Sequence, residues 1–81
     1  MNGRKLKLAG ASRRLTDQKP VRAWDCLQHG NCVEVWSNDF FLYTALVDER
    51  ADDGQLIWLI DKSTGSRRLF VRGDPVTLYW I

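Results

Sequence analysis

Three groups of residues in this chain of 81 have types and spacings that could do chemistry. The first is a run of cations. Residues 1–23 carry Arg4, Lys5, Lys7, Arg13, Arg14, Lys19 and Arg22 against Asp17 alone, a local charge of +6. Residues 24–81 carry five basic and nine acidic side chains, a charge of −4. A basic arm ahead of an acidic body suggests a polyanionic partner. Each Lys or Arg that neutralises a phosphate releases a counterion, so such an arm binds nucleic acid without reading its sequence. A solvated tail, or an arm folded back on the acidic body, accounts for the same charges.

The second group is aromatic. Nine rings stand in the chain, four of them tryptophan. If Val33 and Val35 face a core, Trp36 faces outward with Glu34. If Val76 and Leu78 face inward, Tyr79 faces outward. A patch of Trp36, Tyr43 and Tyr79 has the π-faces to stack bases or to hold a peptide or a cation. The opposing reading places these rings in the core, under the N-terminal segment or against a second subunit. Alternation along the segment 67–72 puts Arg68, Phe70 and Arg72 on one face. Interleaved guanidinium and ring suit a phosphate backbone with a stacked base, or an ordinary charged strand edge.

The third group is Cys26, His29 and Cys32. Thiolate and imidazole ligate zinc, but three ligands at this spacing match no familiar finger, so the expectation is two reduced thiols and no metal. His29 is the only histidine. No serine lies in a nucleophile motif, and no Walker loop or dinucleotide fingerprint occurs. The carboxylates fall in turns. The chain is therefore expected not to be an enzyme and to need no cofactor.

The elements that must position these groups are short strands. Residues 1–20 show no sustained period and are expected to form a flexible basic arm, with residues 21–81 as one domain. Val33 and Val35 alternate with Glu34 and Trp36. Ser37-Asn38-Asp39 is a turn. Phe40 to Asp48 and Leu56 to Ile60 are β-rich runs, apolar on both sides, joined by the hairpin signal Asp52-Asp53-Gly54. Asp61 to Gly65 is a longer hairpin loop before a strand over 67–72. Pro75 separates that strand from a last one over 76–80. Val21, Trp24 and Leu27 have helical spacing, but Pro20 and the short length favour an extended lead-in whose Trp24 and Leu27 plug one end of the fold. Five short strands with turns every 8–12 residues predict an all-β fold, a small barrel whose two-faced strands serve both halves.

The stretch Leu27-Gln28-His29-Gly30-Asn31-Cys32-Val33-Glu34-Val35 resembles the opening of SH3-like barrels, Leu-x-x-Gly-x-x-Val-x-Val. Tyr43-Thr44-Ala45-Leu46-Val47 and Ile57-x-Leu59-x-Asp61 resemble the second and third strands of the Tudor-like variants in that superfamily. The resemblance covers roughly residues 27–80 and implies a five-stranded SH3-like barrel. It does not extend to a methyl-ammonium cage: Lys62 and Ser63 follow Asp61 where methyl-binding Tudor domains usually place an aromatic and a glycine, and Thr44 stands where arginine is common.

The expectation is a small cytoplasmic binding module for nucleic acid. Arg4, Lys5, Lys7, Arg13 and Arg14 would attract the polyanion, and Arg68, Arg72, Trp36, Tyr43 and Tyr79 would contact it. The alternative is a protein-interaction module, with a peptide groove or a homodimer interface. The longest nearly apolar run, Phe40 to Val47, is far short of the roughly twenty residues a membrane helix needs, so no membrane role is expected. The basic N-terminus lacks the apolar segment of a secretory signal.

Overall fold

A computed structural model describes residues 18–81. The chain is all-β: five antiparallel strands form one sheet. They are β1 (Cys32–Ser37), β2 (Phe40–Arg50), β3 (Leu56–Asp61), β4 (Arg67–Val71) and β5 (Thr77–Trp80). The order across the sheet is β4-β3-β2-β1-β5, so four strands form a meander and the last returns beside the first. This corrects the barrel expected from the two-faced strands. The sheet is open, with β4 and β5 as its edges.

The turns follow from residues that tolerate positive φ. Asn38 (φ 51°) and Asp39 (φ 69°) make the two-residue link between β1 and β2 in the paired-left-handed form that suits strand twist. Gly54 (φ 74°) closes the β2–β3 hairpin. A Cβ there would stand 2.8 Å from the Asp25 nitrogen, so this glycine also allows the lead-in to approach the hairpin.

Alternation fills one face. Val33 and Val35 of β1, Ala45 and Val47 of β2, Ile57 and Leu59 of β3 and Leu78 of β5 are buried together. Val21, Trp24 and Leu27 of the lead-in complete this core, with Tyr43, Phe70 and Val76 packed at its margin. The lead-in carries a 3₁₀ turn at Trp24–Cys26 and a second turn at His29 and Gly30, and both its predicted plugs, Trp24 and Leu27, are buried. A sheet with one face packed in this way must cover that face with something, and here it is the preceding chain.

Two bulges bend β2. Val35 pairs with Tyr43 and Trp36 with Phe41, which leaves Leu42 unopposed. Val47 pairs with Leu59 and Glu49 with Trp58, which leaves Asp48 unopposed. Each extra residue kinks the long strand and resets which side chains face the core. The second apolar face of β2 and β3 is not a second core. Leu46, Leu56, Trp58 and Ile60 are half-buried on the outer face of the sheet.

Candidate functional site

β4 is placed by its pairing with β3: Ile60 with Arg67, Leu59 with Arg68, Trp58 with Leu69, Ile57 with Phe70 and Leu56 with Val71. Cross-strand partners share a face. Arg68 and Phe70 therefore stand on the core side beside Leu59 and Ile57, as alternation required. Arg67, Leu69 and Val71 stand on the outer side beside Ile60, Trp58 and Leu56. Leu69 is 45% exposed and Val71 42%. The outer face of β3 and β4 is thus an accessible apolar strip, bordered at one end by Arg67.

The arginines are held by different partners. The Arg67 guanidinium lies 3.9 Å from the centroid of the Trp58 ring. Its Nε donates to Asp48 Oδ2 at 2.7 Å, and its Nη2 donates to Glu49 Oε1 at 3.1 Å. The bulge at Asp48 aims that carboxylate across the sheet. Arg50 donates to the carbonyls of Leu27 and Ala51 and ties the lead-in to β2. Arg68 lies 5.5 Å from the Tyr43 ring and Arg72 5.1 Å from the Trp24 ring. Neither makes an ion pair with a carboxylate among the described residues. Arg72 falls in the turn after β4, where its N–H donates to the Gln55 carbonyl at 2.8 Å.

The loop into β4 is organised by Asp61, a buried carboxylate. Its Oδ1 accepts from the Ser63 backbone N–H at 2.8 Å and from the Ser63 hydroxyl at 2.7 Å. The Ser63 hydroxyl is the main reason its carboxyl titrates below the ordinary range. The N–H groups of Ser63 and Thr64 and the charge of Arg68 act in the same direction, and desolvation opposes them. Tyr43 is shifted the other way. Burial raises its phenol above the usual value, against the pull of Arg68. Its hydroxyl is enclosed without a hydrogen-bond partner.

The aromatic trio does not share one face. Glu34 pairs with Tyr79, so Trp36 and Tyr79 lie on the outer face as expected, where their ring centroids are 5.9 Å apart. Phe41 meets Trp36 edge-on at 5.8 Å. Trp36 is only 6% exposed, and its indole N–H donates to Glu34 Oε1 at 2.9 Å. Tyr43 pairs with Val35 and lies on the core side. The bulge at Leu42 and the choice of face were not visible in the residue types alone. Sequence reasoning also missed the exposed Phe40, Leu42, Leu69 and Val71, reading all four only as strand. The exposure of Leu69 and Val71 depends on which strand ends as an edge.

Arg4, Lys5, Lys7, Arg13 and Arg14 lie outside the described residues. Cys26 and Cys32 are free thiols. The His29 ring nitrogen Nδ1 is 2.8 Å from the Asp48 carbonyl. Among the described residues no three His, Cys, Asp or Glu side chains converge on a metal position, and no helix is long and apolar enough to cross a membrane. A depression of about 540 Å³ lies between Leu27, His29, the second bulge of β2 and Trp58. Asp48, Glu49 and Asp52 rim it with negative charge, which disfavours a phosphate there. Compared with known proteins, the chain matches no family model, no curated protein and no solved structure.

Proposed function

We propose that the chain is a small non-enzymatic protein-interaction module that engages its partner through the outer strip of β3 and β4. The observation that carries this reading is the exposure of Leu69 and Val71 beside Trp58 at an open sheet edge. Accessible apolar side chains grouped in this way mark contact surfaces more often than scattered ones do. The described residues carry seven basic and nine acidic side chains, and Arg67 and Arg50 are already engaged. An acidic body whose cations are partly committed favours a protein over a polyanion as occupant of the strip.

The SH3-like assignment belongs to this proposal. It is supported by the five antiparallel strands and by the burial of Leu27, Val33 and Val35, the apolar positions of the opening motif. Nucleic-acid binding keeps one specific support, the cations Arg4, Lys5, Lys7, Arg13 and Arg14. Arg68 and Arg72 would add to it from the inner side.

A selection of short peptides on the immobilised full chain, run beside gel shifts with single-stranded and duplex oligonucleotides, separates the two readings. The interaction module predicts enriched peptides whose binding is lost in Leu69→Lys and survives in an Arg13→Glu/Arg14→Glu chain. No enrichment, together with oligonucleotide binding that falls steeply with salt and is lost in the second chain, overturns it.

A further inference from the structure

The two edges of the sheet are finished differently, and the difference says what kind of partner β4 takes. In an antiparallel ladder the N–H and C=O of one residue point to the same side, and successive residues alternate. The Asp61 N–H donates to the Ser66 carbonyl at 2.8 Å, and the Arg72 N–H donates to the Gln55 carbonyl at 2.8 Å. Ser66 and Arg72 therefore direct their backbone groups toward β3, and by alternation so do Arg68 and Phe70. Arg67, Leu69 and Val71 direct theirs outward. At Val71 the outward groups are satisfied: its N–H donates to Asp74 Oδ2 at 2.9 Å and its carbonyl accepts from the Asp74 N–H at 3.0 Å. No strand among the described residues pairs with the outward groups of Arg67 and Leu69.

On the opposite edge the arrangement is closed. The Leu78 carbonyl accepts from the Val21 N–H at 2.7 Å, the Trp80 N–H donates to the Lys19 carbonyl at 3.0 Å, and Pro20 bridges Tyr79. Proline offers no further N–H, which ends the sheet there.

Resting on the interaction reading above, we infer that β4 accepts an extended segment of a partner protein as an added strand, in which apolar and acidic residues alternate. The pattern follows from the edge. Residues of the added strand that bond Arg67 and Leu69 face the outer side, beside Leu69 and the Trp58 strip, and are apolar. The residues between them face the core side, beside Arg68. That guanidinium is exposed, lies 5.5 Å from the Tyr43 ring centroid and acts on the buried Asp61 only through its charge, and among the described residues it makes no ion pair. A carboxylate on the incoming strand supplies one. Main-chain bonds give the attachment, and the side chains on each face give the selectivity. A second copy fits less well, because pairing β4 with itself about Arg68 sets two guanidiniums opposite each other.

The test titrates the ¹⁵N-labelled full chain with a capped peptide of about five residues in which valine and glutamate alternate, a length that matches an ordinary strand. Controls are the valine–lysine counterpart and a version N-methylated at each valine. Strand addition predicts saturable shifts at the Arg67 and Leu69 amides with the glutamate peptide. It predicts affinity about tenfold weaker for the lysine peptide, the factor expected when one exposed charge contact changes sign. It predicts no shift with the N-methylated peptide, and a reversed preference in Arg68→Glu. Equal affinity for both charged peptides, undiminished binding after N-methylation, or concentration-dependent protection of the β4 amides without peptide overturns it. Shifts at Trp58, Leu69 and Val71 that survive N-methylation overturn strand addition and leave the interaction module standing; shifts confined to Phe40–Leu42, or failure of the peptide selection, remove both.

Discussion

The covered edge at β5 and the open edge at β4 are both short strands, but they differ in composition and end differently. β5 carries no charged residue, whereas β4 opens with Arg67 and Arg68 and continues with three apolar residues. Beside β5, the preceding chain supplies backbone partners at Lys19 and Val21 and then turns under the sheet to bury Val21, Trp24 and Leu27. One segment therefore closes an edge and completes the core. Beside β4, Asp74 satisfies Val71, and no strand among the described residues pairs with the outward groups of Arg67 and Leu69. Unpaired edges invite association, and proteins commonly shield them. Here one edge is shielded by the chain itself, while the other is short and flanked by an apolar strip and a guanidinium.

If stability resides in the covered edge, cutting into it has the largest effect. Trp24→Ala should cost about 3–5 kcal/mol, as for other buried aromatic truncations, whereas Leu69→Ala should change stability by less than about 0.5 kcal/mol. Urea midpoints of the two variants measure this. Comparable losses would mean that the two edges contribute alike.

Gly54 is the next point of attack, because it locks the β2–β3 hairpin against Asp25 of the lead-in. Gly54→Ala introduces both positive-φ strain and a 2.8 Å contact with backbone. A loss of about 2 kcal/mol or more is expected by chemical denaturation, from the left-handed penalty of roughly 1–2 kcal/mol together with the contact.

A gain is expected near the open edge. Tyr43→Phe removes an enclosed hydroxyl that has no partner, so stability should rise by about 1 kcal/mol, the lower end of the cost of an unpaired buried polar group. An unchanged or lower thermal midpoint would show that the hydroxyl is satisfied in solution.

The smallest effect is a pH dependence of the loop that feeds β4. The folded-state pKa of Asp61 lies below its unfolded value. Its contribution to stability is therefore complete above the ordinary carboxylate pKa and is lost as pH falls through the lowered folded one. Ser63→Ala removes the principal cause of the shift. The loss of stability between neutral pH and about pH 3 should then be shallower than in the parent chain, as read from paired denaturation curves.

Much of this architecture was legible in the residues. Asn38, Asp39, Gly54 and Gly65 all take positive φ, because turn chemistry is local and short side chains or none are its direct signature. Val33, Val35, Ile57 and Leu59 are buried because period-two alternation needs only a sheet with one packed face. Leu27 and Trp24 reach the core because the segment that precedes β1 crosses the packed face and their apolar side chains are removed from water there.

The rest was decided by pairings between distant residues. Apolar runs on both sides of β2 and β3 signalled two occupied faces, but residue types do not distinguish a buried second face from an accessible strip. The bulges at Leu42 and Asp48 depend on register with neighbouring strands, and a shift of one residue moves side chains to the opposite face. That is why Tyr43 parted from Trp36 and Tyr79, although all three are strand aromatics. The sequence by itself determined an all-β chain, its turns and most of its core, since each rests on local backbone preference and simple periodicity. Only the tertiary structure decided that the sheet stays open, which edge the lead-in covers, and that Arg68 stands beside the uncovered one, because each is set by contacts between segments far apart in the chain.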